Sequence, residues 1–498
     1  MSNRRAIATA LSAAFGIGFL LWVAIASVPR ANAIPAFSRK YQTSCTTCHS
    51  NYPELNDFGE AFKRNGFKFP QDDESFVKEP PVLLGAKAQK EAFPGAVFPG
   101  EIPGSLPIAF RYSGNFSWNA KQPQALQASA FVPRTDLFAP NTFTIISAGS
   151  FGPNIAFWID DDISAGGTGA GGGLGDGYLR YNDLGHIFHL PKNALNVRFG
   201  QFELDLPFSQ ARTIYPSAFD VYSETAVAGG TPCGRKVTVC QTTNNPFFLG
   251  TPQRGIEFGG FPDNGNFTWS VAVVDGTNSA YGLGPGLTAR NTKDVYIRVS
   301  QRFNLERDPE SRKAIQAAGP TGPHDHTSIR IGAFYYRGEN QTNFGGSQFN
   351  FLGTINEPFY RAGGDIRFKY RNKFELFALG LVGHDNNHFV DTASPGSITN
   401  APAVTYTGGF AGSNFWVYPW LITYMRYDFV NSPTDFANGI SQFRTRNRYS
   451  PGFQVLVRAN IKVIGEYQYH WGQPYTNSAG ATLFFRPNTF VSGIDYVF

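Results

Sequence analysis

Methionine, charge and long apolar runs are all scarce in this 498-residue chain, and each shortage removes a class of protein. Beyond residue 28 no apolar stretch approaches the roughly 20 residues of a transmembrane helix. Any membrane-spanning part therefore has to be a β-barrel. Charged residues make up 16% of the chain, and the formal charge of +5 is spread without a basic run, which speaks against a nucleic-acid partner. The Ala/Glu/Lys/Leu mixture of long soluble helices is thin. No acid/base pair, nucleophile or phosphate-binding loop stands out. What is plentiful is glycine (54), phenylalanine (47) and tyrosine (22), the composition of a β-rich, aromatic chain.

The first 33 residues read as a secretory signal peptide. Arg4 and Arg5 precede an apolar run from Ala6 to Val28, and Ala31-Asn32-Ala33 supplies a small-x-small cleavage site. The run is long for such a segment, so an uncleaved anchor is the competing reading.

Cys45-Thr46-Thr47-Cys48-His49 fits C-x-x-C-H, the pattern of c-type haem attachment. Two thiols at this spacing add to the two vinyl groups of one porphyrin, and the tether places the adjacent His49 to ligate the iron. A zinc ribbon needs a second pair of similar spacing, and Cys233 and Cys240 lie far away with six residues between them. A thioredoxin-like motif wants a βαβ context, which is missing. One covalent haem c, held by Cys45, Cys48 and His49, is the expectation.

From Pro53 the chain reads as a helix, with Leu55, Phe58, Ala61 and Phe62 on one face and Gly66 as its stop. Residues 34–77 form this small α-helical cytochrome segment and 78–106 a linker. So short a segment cannot enclose a haem unaided. Methionine is the common sixth ligand, but past Met1 only Met425 remains, and its alternation against Arg426 and Asp428 turns it to lipid. His186, His189, His324, His326, His384, His388 and His470 fall in or near turns, loops and strand ends and read as surface residues.

Residues 107–498 repeat segments of about ten residues with alternating polarity, separated by Gly, Asn, Asp and Pro. Val295, Ile297 and Val299 alternate with Tyr296, Arg298 and Ser300. A soluble sandwich also alternates. The loops discriminate: turns at 371–373, 418–420 and 459–461 are tight, whereas 207–253, 386–402 and 430–449 are long, an outer-membrane arrangement. Phe490, Ser492, Ile494, Tyr496 and Phe498 give an aromatic-terminated last strand.

The predicted strands are 108–118, 141–149, 154–163, 175–184, 194–204, 253–261, 266–275, 292–303, 327–338, 358–371, 373–385, 403–417, 421–430, 450–459, 461–471 and 485–498. The fold class is thus all-β, a transmembrane antiparallel barrel of about 16 strands, with the N-terminal segment as its plug. A bore of that width is aqueous unless filled. Cys233 and Cys240 suggest a disulfide closing a short external loop on the oxidising side of the membrane. Asp160-Asp161-Asp162 reads either as an iron-attracting cluster near the outer rim or as a solvated strand end.

Ile34-Pro35-Ala36-Phe37, the haem motif, Asn56-Asp57-Phe58-Gly59-Glu60-Ala61-Phe62-Lys63 and, within the barrel, Tyr418-Pro419-Trp420-Leu421 together resemble the fused outer-membrane cytochrome and porin family. That family includes the ferrous-iron oxidases of iron-oxidising bacteria. The resemblance implies an outer-membrane electron carrier with Fe(II) oxidoreductase activity, passing electrons from extracellular Fe(II) through one haem toward a periplasmic c-type cytochrome or other carrier. Two alternatives stand beside it: a solute porin with a haem-bearing gate or sensor, and a conduit running outward to an external acceptor. Cleavage after Ala33 would leave a mature chain of 465 residues beginning at Ile34. N-terminal peptide mass spectrometry of the exported protein is expected to find Ile34 first; a peptide retaining residues before it would establish the anchor instead.

Overall fold

The computed structural model describes residues 36–69, 73–83, 87–95, 101–104, 106–120, 134–165, 173–209, 211–223, 240–242, 247–262, 265–276, 292–306, 327–344, 353–391, 398–431, 446–470, 475–476, 482–483 and 488–498. Among these, sixteen antiparallel strands form a closed ring. They are β1 (Ile108–Asn119), β2 (Thr135–Phe151), β3 (Ile155–Ala165), β4 (Leu174–Tyr181), β5 (Asn196–Phe202), β6 (Gln253–Gly260), β7 (Phe267–Val274) and β8 (Asp294–Asn304), then β9 (Ser328–Phe344), β10 (Gly353–Tyr370), β11 (Phe374–Asp391), β12 (Ile398–Tyr418), β13 (Leu421–Asn431), β14 (Arg446–Arg458), β15 (Ile461–His470) and β16 (Thr489–Val497). Each strand pairs with its sequence neighbours, and β16 pairs with β1 from Thr489↔Asn119 to Val497↔Arg111. Closure leaves no free edge, which lets a β-structure cross lipid.

The dyad pattern fixes which side faces where. On β8, Ile297 and Val299 are exposed, whereas Tyr296, Arg298 and Ser300 are buried in the lumen. At the tight-turn end the outward rings of Phe110, Tyr112, Phe143, Tyr496 and Phe498 stack into part of an aromatic girdle. An apolar exterior, an aromatic girdle and an even number of strands define an outer-membrane barrel. The tight turns and both barrel termini lie at its periplasmic end.

Several observed strands outrun the predicted ones, β9 reaching Phe344, β11 Asp391 and β12 beginning at Ile398. Alternation ends where lipid ends, but hairpin hydrogen bonding continues beyond it through polar stretches such as Glu339-Asn340-Gln341-Thr342-Asn343. The segment predicted as a linker contains a short helix, Lys87–Ala92, and a small pairing of Val82–Leu83 with Glu101–Ile102.

A larger correction concerns the stretch after β5, expected as an external loop from Pro207 to Gln253. Its described part folds into the lumen. Leu204, Leu206, Ile214, Phe219, Val221, Tyr222, Phe247 and Leu249 are buried in one cluster with inward residues such as Phe334, Phe359, Phe377 and Phe410. So many apolar side chains cannot stay in water, and an open bore is the nearest cover. Arg426 holds the loop by donating to the Ser217 and Ala218 carbonyls. Cys233 and the disulfide predicted for it lie outside the described residues; Cys240 opens a short strand, Cys240–Thr242, that pairs with the end of β11.

Inward polar residues pair among themselves. Arg298 reaches Asp365 at 2.7 Å, Arg426 reaches Asp428 at 2.7 Å, and the fully buried Arg361 reaches Asp385 at 2.9 Å. Arg361→Ala leaves the Asp385 carboxylate buried without its guanidinium, and is expected to cost about 3–5 kcal/mol of barrel stability. Urea unfolding followed by tryptophan fluorescence measures this; an unchanged midpoint would mean that water serves this pair as well as protein does.

Candidate functional site

The Cys45–His49 motif is built as one tight turn. Cys45–Thr47 is a single 3-10 turn, capped by Ser44 and closed by the Cys48 amide donating to the Cys45 carbonyl at 3.2 Å. His49–Asn51 then pairs briefly with Glu54–Leu55. The helix that follows begins at Asp57, not at Pro53. With Ala36–Tyr41 as α1, it is α2, Asp57–Arg64. The start is set by Asn56, whose Oδ1 accepts from the Gly59 amide at 2.8 Å, an N-cap. The same side chain donates to the Thr47 carbonyl at 3.0 Å, and the Asn56 amide donates to the Cys48 carbonyl at 3.0 Å. Asn56 thus clamps the cysteine turn to the helix.

Gly59 completes the clamp. A Cβ there would lie 2.0 Å from the Cys48 carbonyl oxygen, so only glycine lets α2 approach so closely. At the other end Gly66, the predicted stop, has φ +72°. Between them Phe58 and Phe62 bury against Tyr41, Phe67 and the inward Trp158 of β3.

The barrel holds this segment from several sides. Asp57 bridges Arg302 at 3.2 Å and Lys369 at 3.5 Å, and Glu54 pairs with Arg367. Asn51 donates to Gln454, and Lys462 donates to the Tyr52 carbonyl. Lys68 donates to the Gly152 carbonyl at 2.7 Å across a periplasmic turn. Residues 36–69 therefore sit inside the lumen at its periplasmic end.

Cys45, Cys48 and His49 all line one cavity of about 280 Å³ there. Its walls are Phe37, Tyr41, Phe62 and Trp158 on the apolar side, with Arg111 and Arg212 on the charged side. Burial pushes the Cys48 thiol up to about 12 and also raises Cys45, so both are thiols at neutral pH. It pushes the His49 imidazole down to about 4, leaving it neutral, the form that ligates a metal. His49 Nδ1 lies 3.2 Å from the Pro53 carbonyl. A proton on Nδ1, donated to that carbonyl, leaves the Nε2 lone pair free and aimed away from it, as in histidines that ligate a metal through one ring nitrogen and hydrogen-bond through the other. These residues fit a covalently held haem: two protonated thiols, a neutral oriented imidazole and an aromatic cleft beside them.

Sequence reasoning placed the three motif residues but missed most of the wall. Trp158, Asp160 and Asp162 share the inward face of β3 and line the cavity, while Asp161 points outward beside Ile159 and Ile163. The Asp160–Asp162 run is therefore neither a strand end nor a cluster, because alternation divides it; the inward aromatic–acid spacing was the available signal. Arg212 arrives on the in-folded loop and gave none. Among the described residues no group of three or more histidine, cysteine or acidic side chains is gathered so as to hold a bare metal ion.

Met425 is 51% exposed on the outer face, as expected. His186 and His189 are exposed in a turn, and His384 bonds Thr405 and stacks on Tyr360. His324 and His326, and the side chain of His388, lie outside the described residues. Among the described residues the cavity lining contains no methionine and no histidine besides His49.

No family model matches the chain, and no curated protein does so either. Solved structures similar to it include the outer membrane channel DcaP of Acinetobacter baumannii, at 12% identity and TM-score 0.42 over 79% of this chain and 97% of that one. Salmonella typhi OmpF, in a complex with daunomycin, is similar at 9% identity and TM-score 0.47 over 80% and 98%.

Asn56→Ala removes the clamp, and Gly59→Ala forces α2 away from Cys48, each at about 1–3 kcal/mol. Trypsin is expected to cut the variants at Lys63 and Arg64 while the barrel stays resistant. Equal protection of wild type and variants would show that the wall contacts alone hold the segment.

Proposed function

We propose that this outer-membrane barrel is an electron-transfer protein carrying one covalent haem c on Cys45, Cys48 and His49, of the fused cytochrome and porin type. The observation that carries the reading is the convergence of both thiols and the oriented imidazole on one aromatic cavity inside a closed barrel. Bound there, the haem would supply one-electron Fe(II)/Fe(III) chemistry.

The chain's own residues do the rest. Cys45 and Cys48 would hold the haem by adding S–H across its two vinyl groups, a step that needs no other reactant. His49 would supply Nε2 as the iron ligand, its ring oriented by the Pro53 carbonyl 3.2 Å from Nδ1. Phe37, Phe62 and Trp158 line one side of the cleft and keep water from it, which would favour the reduced, less charged iron of a bound haem. Arg111 and Arg212 offer guanidinium groups to the propionates, although each already serves a carboxylate: Arg111 reaches Asp495 at 2.9 Å, and Arg212 reaches Glu203 at 3.1 Å.

The periplasmic position of the cavity supports exchange with a periplasmic c-type cytochrome or similar carrier; extracellular Fe(II) as the donor rests on the resemblance to the fused cytochrome and porin family. Residues 36–69 at one end and the loop after β5 further in occupy part of the lumen, so a solute porin remains the alternative, with any path running past them.

Purified protein in liposomes, with Fe(II) outside and an acceptor enclosed, is expected to show a Soret band, haem reduction and acceptor reduction. Cys45→Ala/Cys48→Ala should lose the covalent haem and the electron flow while keeping the barrel. A wild-type protein without Soret absorption overturns the haem. A haem protein that swells liposomes in sugar but passes no electrons supports the gated porin, and a clearly negative midpoint potential supports the outward conduit.

A further inference from the structure

A second lumen cavity, of about 150 Å³, lies across α2 from the first. Its lining has ten cationic side chains against eight carboxylates. Each carboxylate is already taken. Glu54 and Glu375 hold Arg367, Asp57 holds Arg302 and Lys369, Glu203 holds Arg212, and Glu257 holds Arg198. Asp365 holds Arg298, while Glu60 and Asp205 reach Arg64 at only 3.7 and 4.0 Å. Among the described residues Lys63, Arg180 and Arg330 are left with no ion pair and no side-chain hydrogen bond; Lys63 is shared with the first cavity.

Register makes this arrangement costly. Arg330 on β9 faces Arg302 on β8 and Arg367 on β10, three guanidinium-bearing positions abreast. On the far wall Arg180 of β4 faces Arg198 of β5. Like charges directly opposite destabilise a sheet. In both rows the flanking arginines find carboxylates and one arginine does not. The two unpaired arginines line the same cavity; Arg64 at the end of α2 repels both, against a pull from Glu257 on Arg180 and a partly offsetting pull from Asp57 and Glu60 on Arg330. The Nε of Arg180 is buried without a partner, and its guanidinium has only the Phe261 ring, at 5.9 Å. A buried, unpaired guanidinium is unfavourable unless an anion completes it.

We infer that this cavity is a binding site for a small diffusible oxyanion, phosphate or a carboxylate, held between Arg180, Arg330 and Arg64. Guanidinium groups match the paired oxygens of such anions. The space is about half that of the first cavity and carries far more charged side chains on its walls, which suits a small anion. The site shares Leu55, Lys63 and Arg212 with the first cavity but needs neither Cys45 nor Cys48.

The test is thermal unfolding of the full chain in detergent, with chloride exchanged for inorganic phosphate at constant ionic strength. Phosphate is expected to raise the midpoint by several degrees and to saturate. Arg180→Gln/Arg330→Gln should lose that rise while being at least as stable as wild type without phosphate, because the repulsion is gone. Cys45→Ala/Cys48→Ala should keep the rise whether or not the haem assignment is right. No phosphate effect beyond chloride, or an undiminished effect in the arginine variant, overturns the site. An effect that appears only in the cysteine variant also overturns it, since the anion would then be a propionate of the tethered porphyrin.

Discussion

Inside a bilayer every backbone N–H and C=O needs a protein partner, and closure of the sixteen-strand ring is what provides one for each. The other features descend from that closure. A ring of this size encloses a bore, and the dyad repeat that turns apolar residues to lipid turns as many polar ones inward. These must then be paired where little water remains, hence the arginine–carboxylate contacts along the lumen, such as Arg298 with Asp365 and Arg361 with Asp385. The bore is also the available cover for apolar segments that would otherwise face water, and it takes in two of them.

Those two segments have different holds. The loop after β5 is fixed chiefly by apolar burial, with Phe219 stacked on Phe410 at 4.2 Å and Tyr215 against Tyr424 at 4.9 Å. The N-terminal segment has its own aromatic core but is attached to the wall by charge, through Glu54, Asp57 and the arginines opposite. Burial with Glu375 nearby pushes the Glu54 carboxyl up, so Arg367 is needed on both sides of that contact. A segment too short for a hydrophobic core large enough to stand alone borrows stability from a wall that cannot move. The cavity beside Cys45, Cys48 and His49 is shaped by both partners, since Phe37 and Phe62 come from one and Trp158 and Arg111 from the other.

Much of this was legible in the residues, for an identifiable reason. Strand alternation and tight turns are local, and they located sixteen strands and which face of each meets lipid. The motif Cys45 to His49 is a five-residue pattern whose chemistry depends on spacing alone. Legibility failed where contacts are long-range. Hairpin ends past the membrane lose alternation but keep hydrogen bonds. Asn56 was a motif member with no assigned task until its side chain met the Thr47 carbonyl and the Gly59 amide.

The sequence by itself determined the class of barrel and its inside and outside, and its C-x-x-C-H spacing is what the haem proposal for Cys45, Cys48 and His49 starts from, because periodicity and spacing are properties of neighbours in the chain. Only the tertiary structure decided that the loop after β5 turns inward, that the wall of the cavity includes Trp158, Arg111 and Arg212, and that Arg180 and Arg330 line a second cavity in which neither is paired with a carboxylate. Those outcomes depend on which strands end up abreast and on what the bore has room to hold. Such relations join residues hundreds of positions apart, and they exist only once the ring has closed.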